Sequence, residues 1–252
     1  TTAKDIADRK LKELILSCHS KLRGIYGYRR MLVWLEKNHG IKVNHKRVYR
    51  LMKCLGIKAV IRRKKKYFGG AETIIVTDNI LNRDFKTNNP NTKCVTDITY
   101  LIFNGKTVPL SYSRLILDLY NKEIVAYKVS RSNDLRLVLD TVRKAVKKRD
   151  VIGILLHSDQ GFQYTSKQYN SLLKSSYITQ SMSRKGNCLD NAAMECFFGH
   201  LKSELMYINK FREDQEVLQS VSKYIDFYNN ERFQAKLNNL TPVEFRRQAK
   251  LA

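Results

Sequence analysis

Residues 152–157, IGILLH, form a short, almost unbroken apolar run. That pattern suits a strand covered on both faces, and a strand of that kind needs helices on either side of its sheet. The neighbouring segments supply the rest. CVTDITYLIF (94–103) is β-branched and aromatic, hence a strand. Arg114–Leu119 and Glu123–Val129, joined by a turn at Tyr120-Asn121-Lys122, read as a hairpin. Leu135–Val146 places Leu135, Val138, Leu139, Val142 and Val146 on one helical face. Three strands, a crossover helix and a buried strand predict an α/β domain with a mixed sheet. Further helices are expected at about 166–174, 191–205, 213–228 and 242–248.

The first quarter of the chain differs. Residues 1–70 hold 20 Lys and Arg against 4 Asp and Glu, whereas the remaining 182 hold 27 against 19. Leu11, Leu14, Ile15 and Cys18 recur at helical spacing, and a second helix is expected at about 28–38, broken by His39-Gly40. Asn44 suits the N-cap of a third, with Val48, Leu51, Met52 and Leu55 on its apolar face and Gly56 at its end. The opposite face carries His45, Lys46, Arg47 and Arg50. The pattern resembles a helix-turn-helix whose third helix reads DNA; a small bundle with a solvated basic face is the plainer alternative. Residues 59–90 read as a basic linker. Its Arg63, Lys64, Lys65 and Lys66 fit sequence-blind phosphate contact. The expected organisation is thus a helical DNA-binding module over 1–58, the linker over 59–90 and a catalytic core with C-terminal helices over 91–252.

The net charge of +24 points to a polyanionic partner, although charge alone leaves ribosomal and membrane-surface proteins open. No apolar run approaches 18 residues, and the polar start TTAKDIADRK is no signal peptide. The chain begins at Thr1 rather than Met, as would the downstream part of a longer product. Cys18, Cys54, Cys94, Cys188 and Cys196 are scattered, with no C-x-x-C pair, which fits a reducing cytoplasm. Cys188 and Cys196 are expected to pack. His39, His45 and Cys54 lack a fourth ligand, so no zinc site is read.

Three acids stand out. Asp97 lies inside a strand, where side-chain alternation groups it with Val95, Thr99 and Leu101. Asp159 follows the carboxyl end of IGILLH, where α/β sheets bind ligands. Glu195 sits on a helix among small and apolar residues that suggest packing on the sheet. If they converge, acids so close stay ionised only with a cation, and oxygen-only ligands suit Mg²⁺ or Mn²⁺. By spacing alone, three unrelated acids remain the favoured reading. His157 is expected to hydrogen-bond locally rather than act as a base.

The surrounding motifs are more specific: TDITY (96–100), HSDQGFQY (157–164), SMSRKGN (181–187), then Asp190-Asn191-Ala192, Glu195 and Leu201-Lys202. In this order they resemble a DDE-class bacterial insertion-sequence transposase with a retroviral-integrase-like core. More narrowly, they resemble the downstream-frame product of the insertion-sequence three family. Thirty-five residues separate Asp159 from Glu195, and Lys202 follows seven later. YGYRR (26–30), with Arg29 and Arg30, resembles the family's helical module, and YIDFYN (224–229) and Thr241-Pro242 its C-terminal end. Cys94 and Gln234 depart from the Trp and His usual there. The resemblance implies a ribonuclease-H-like mixed five-stranded sheet flanked by helices, preceded by a small all-α helix-turn-helix module. It implies cleavage of element ends and transfer of the 3′-OH to another phosphodiester, with two Mg²⁺ or Mn²⁺ ions held by Asp97, Asp159 and Glu195. It also implies DNA contacts from Arg184, Lys185 and Lys202. The partners would be double-stranded DNA, as terminal inverted repeats and target, and at least a second copy of the chain, with neither membrane nor small-molecule substrate. The place would be the bacterial cytoplasm, at the nucleoid. A non-catalytic DNA-binding regulator or an inactive relic is the alternative.

Overall fold

The computed structural model describes residues 3–60, 76–101, 111–130 and 133–249. The basic residues Arg63, Lys64, Lys65 and Lys66 lie outside them. The chain divides into two compact units, one of residues 3–60 with Phe233–Leu240, the other of residues 76–232 and 241–249.

The first unit contains α1 (Ala3–Lys21), α2 (Tyr28–His39) and α3 (His45–Cys54). Leu11, Ile15, Cys18, Met31, Leu35, Val48 and Leu51 form its buried faces, while Leu14 and Leu55 are only half-buried. Asn44 caps α3, its Oδ1 accepting from Lys46 N at 2.8 Å, a contact worth about 1 kcal/mol. Gly40 and Gly56 close α2 and α3 at φ of +66° and +67°, a backbone region that costs glycine nothing. Tyr26 is buried, and its hydroxyl accepts from Phe233 N at 3.3 Å.

The second unit is built on a five-stranded sheet of β1 (Lys93–Leu101), β2 (Ser111–Asp118), β3 (Ile124–Ser130), β4 (Leu155–Ser158) and β5 (Thr179–Met182). Their spatial order is β3-β2-β1-β4-β5; β1, β2 and β3 run antiparallel, whereas β4 lies parallel to β1 and β5 parallel to β4. Between them run α4 (Leu135–Lys148) and α5 (Lys167–Ser175), then α6 (Ala192–Leu201), α7 (Asp214–Asn230) and α8 (Pro242–Ala249). The two sheet faces carry separate cores. Val138, Val142, Tyr164, Tyr169 and Leu173 pack on Cys94, Ile116 and Leu156. Met194, Phe197, Leu201, Val221 and Tyr228 pack on Val95, Leu101, Leu115 and Leu117. Each buried aliphatic side chain stabilises by about 1.5–3 kcal/mol.

Two expectations need correction. The helix expected at 191–205 is composite: a 3₁₀ turn at Cys188–Asn191 leads into α6, which widens into a π-type turn over Lys202–Met206. That turn buries Glu204, whose carboxylate takes Arg232 at 2.6 and 2.9 Å and the Tyr224 hydroxyl at 2.8 Å. Burial would raise the Glu204 pKa, but Arg232 outweighs it and the carboxyl is held below its usual range. Cys196, expected to pack, is exposed, its Sγ 3.7 Å from His200 Nε2.

Candidate active site

Strand register brings the first two acids together. The last β1–β4 pair is Val95 with His157. Asp97 lies two residues further along β1 and Asp159 two residues further on, just past the end of β4, so the register sets them level where the strands run about 4.8 Å apart. Asp97 lies on the face covered by α6, on which Glu195 sits in the first turn. Asp97 and Asp159 are half-buried; Glu195 is exposed, while Met194, Phe197 and Phe198 beside it pack on the sheet as expected.

Each aspartate is anchored through one oxygen. Asp97 Oδ1 accepts from Ile98 N at 2.7 Å, and Asp159 Oδ1 from Gly161 N at 3.0 Å. The other oxygen of each receives no hydrogen bond from the described residues. Burial raises the Asp97 pKa well above the ordinary range, and the charges of Asp159 and Glu195 add to it. Burial likewise raises Asp159, against the opposing pull of Gly161 N–H and Arg114. Asp97 therefore senses the other two acids. Yet among the described residues no group of three His, Cys, Asp or Glu is drawn close enough to hold a metal ion. The donor set is all oxygen, with one free oxygen on each aspartate, and so fits Mg²⁺ or Mn²⁺.

The elements carrying the acids are pinned to one another. Asn191 Nδ2 donates to Thr96 O at 3.3 Å, tying the start of α6 to β1 beside Asp97. Asp190, fully buried, receives Arg83 Nε at 2.7 Å, Asn79 Nδ2 at 2.9 Å, and the Arg184 backbone N and Nε at 3.0 Å each. These donors, Arg184 first, hold its carboxyl far below the usual range. His157 is buried between Ser181 Oγ at 2.9 Å and Ser183 Oγ at 3.0 Å. Burial lowers its pKa to about 4, so a neutral ring clasps β4 to β5. Sequence reasoning quoted Asp190-Asn191 as motif residues without a role; an acid and an amide directly ahead of a helix start were the signal for an anchor.

The expected DNA contacts fall into two groups. Arg184 is committed to Asp190. Arg47 and Arg50 grip Asp8 of α1 at 2.7 and 2.5 Å, so both brace α3 against α1. Arg29 and Arg30 stand over the rings of Tyr28 and Tyr26. His45, Lys46 and Lys185 are exposed, and Lys202 is half-buried where α6 ends. A groove of about 860 Å³ lies along β3, between α4, α7 and α8, and contains none of the three acids.

Sequence comparison decides the family. The family described as "Integrase core domain" matches residues 87–188, a second of the same description matches 195–249, and an "HTH-like domain" matches 5–65. The chain is 43% identical over 239 residues to the putative transposase InsK of insertion sequence element IS150 from Escherichia coli (strain K12), covering 94% of this chain and 83% of that protein. It belongs to the insertion-sequence transposases with an integrase core.

A transposase for insertion sequence element IS904 from Lactococcus lactis is 35% identical over 93% of this transposase and 92% of its own length. Among solved structures, the catalytic core of BIV integrase superposes with a TM-score of 0.50 at 18% identity, covering 64% of this transposase and 97% of that chain. A chain of the simian T-cell lymphotropic virus intasome gives 0.53 at 14% identity, covering 91% and 73%. These likenesses establish the ribonuclease-H-like fold. The transposase is a polynucleotidyl transferase that acts on DNA, and nothing in the comparisons favours a non-catalytic regulator or relic. Among the described residues, no helix is long and apolar enough to cross a membrane.

Proposed function

We propose that Asp97, Asp159 and Glu195 are the catalytic residues of this transposase and hold two Mg²⁺ or Mn²⁺ ions. The register that sets Asp97 level with Asp159, with Glu195 near enough for its charge to raise Asp97 further, is the observation that carries this reading. Bound there, the ions would supply Lewis-acid activation of the attacking oxygen and charge stabilisation at the phosphorus. The chain's own part is positional. The turn closed by Gly161 N–H aims Asp159, the Asn191–Thr96 bond sets α6 beside β1, and Asp190 fixes the loop ahead of α6. The acids lie outside the β3 groove, so that groove has no part in the chemistry.

The substrate is double-stranded DNA, with the terminal inverted repeats of the element cut and a second duplex receiving the 3′-OH. Exposed Lys185 and half-buried Lys202 flank the acids in sequence and contact the backbone there. Exposed His45 and Lys46 of α3, with Arg29, Arg30 and the run Arg63, Lys64, Lys65 and Lys66, also contact DNA. Arg47, Arg50 and Arg184 act by bracing their elements. Two ends must be brought together, so the working form holds at least two copies, in the bacterial cytoplasm at the nucleoid.

The test incubates labelled duplexes of the element's own ends with the protein, with and without Mg²⁺ or Mn²⁺, beside Asp159→Asn. Metal-dependent nicks and longer joined strands, both missing in the variant, are expected on a denaturing gel. Equal cleavage by the variant would overturn the assignment.

A further inference from the structure

Arg114 is the most unusual residue of the core. It lies in β2, opposite Ile98 of β1, and is fully buried. Strand alternation turns it to the sheet face opposite Asp97, among the side chains packed beneath α4 and α5. There Nε donates to Thr96 Oγ1 at 3.2 Å and Nη2 to Tyr169 Oη at 3.5 Å. The guanidinium carbon stands 4.8 Å from the ring centre of Tyr164 and 5.4 Å from that of Tyr169. Nη1 and the Tyr164 hydroxyl are both buried without a hydrogen-bond partner. Among the described residues, no carboxylate lies within ion-pair distance. A buried guanidinium without a paired acid is strongly disfavoured unless the surrounding field supports it. The aromatic faces of Tyr164 and Tyr169 supply part of that field.

The other part comes from across the sheet. Arg114 binds Thr96 and faces Ile98, the two residues flanking Asp97, and Asp159 is Asp97's neighbour on the next strand. We propose that Arg114 is the standing counter-charge of the Asp97–Asp159 pair: it holds the carboxylates together before metal binds and competes with metal for them afterwards. In keeping with this, its charge pulls against the upward pKa shifts of both acids. The proposal rests on the reading that these acids are metal ligands. Arg114 would be a positioning residue, since it acts through the carboxylates and touches no substrate.

Linkage gives the sign. A cation that stabilises the metal-free acids repels a divalent ion at the same acids, so its removal costs the metal-free state more than the loaded one. The experiment uses the full chain at pH 8 with Mn²⁺ alone as probe. Free Mn²⁺ is titrated by electron paramagnetic resonance and melting is followed with and without the ion, for the parent, Arg114→Gln and Arg114→Lys. For Arg114→Gln the expected result is a lower melting temperature that Mn²⁺ largely restores, with Mn²⁺ bound about tenfold more tightly, a coupling of ordinary size between two sites. Arg114→Lys keeps the charge and loses the planar fork, so its Mn²⁺ affinity should stay within about twofold of the parent. A Gln variant that folds only with Mn²⁺ supports the proposal. Equal melting losses with and without Mn²⁺, unchanged affinity, a Lys variant that behaves like Gln, or a Gln variant that folds in neither condition overturns it and makes Arg114 a packing residue. Failure of the parent to bind Mn²⁺ removes the metal reading itself, which is a separate result.

Discussion

Asp97 and Asp159 are held where ionisation is unfavourable, and both carry raised pKa values through burial and, for Asp97, through like charge. That is a stability statement as well as a chemical one. Neutralising one acid should relieve the metal-free protein. Asp159→Asn is therefore expected to abolish strand cleavage while raising the metal-free melting temperature by a few degrees, about 1 kcal/mol at this chain length. Calorimetry without metal checks it; a variant that melts below the parent would show that the attraction to Arg114 outweighs the repulsion. The placement of these two acids was legible at the sequence level because a carboxylate inside an apolar strand and another at a strand's end are both anomalous. Arg114 carries the same signal, a lone charge in the strand SYSRLILD, yet reading only the acids left it unnoticed. Arg184, given a DNA contact only through the resemblance, has its fork on Asp190, six residues further on, a partner that nothing in its own neighbourhood of the sequence announced.

At the scale of elements, the turn after β4 carries the tightest requirement. A Cβ on Gly161 would stand 3.1 Å from Asp159 Oδ1, 3.2 Å from Gln163 Oε1 and 3.3 Å from the Tyr164 ring. Gln163 and Tyr164 are buried, so the carboxylate is the group with room to yield. Gly161→Ala should displace Asp159 by a few tenths of an ångström and lower the cleavage rate about tenfold or more. Its melting temperature should stay near the parent's, and rates and melts on one preparation separate the two effects. Glu204 makes the converse case, since removing it strands Arg232 in the core. Glu204→Ala should cost about 3–5 kcal/mol, measured by urea unfolding. Elements with strong periodicity, such as α3, α4 and the β2–β3 hairpin, were legible within two or three residues. β5, Thr-Gln-Ser-Met, was not: it is short and mostly polar, and its pairing with β4 is secured by Ser181 on His157. The π-type turn over Lys202–Met206 was equally hidden, because a widened turn answers to the buried Glu204–Arg232 pair rather than to local propensity.

Across the whole molecule, 47 basic residues face 23 acidic ones, so each acid that protonates adds to an existing self-repulsion. The acids divide by sign. Asp190 and Glu204 are depressed in the folded state, the first chiefly by Arg184, the second by Arg232 against burial. Their stabilisation is fully present above the unfolded carboxylate pKa, about 4, and is lost as pH falls through their lower folded values. Asp97, Asp159 and Asp118 are raised. Their contribution runs the other way: it is lost as pH rises through the folded value and fully present below about 4. The two sets act in different windows, so in the metal-free protein stability should rise on mild acidification as the raised acids protonate and then fall steeply below about pH 4. Asp190→Asn isolates the lower limb. It should unfold at lower urea at pH 7, because Arg83 and Arg184 lose their carboxylate, and its urea midpoint should fall less than the parent's between pH 5 and pH 3. An equally steep acid limb in the variant would mean that general charge repulsion, rather than the Asp190 anchor, governs acid unfolding.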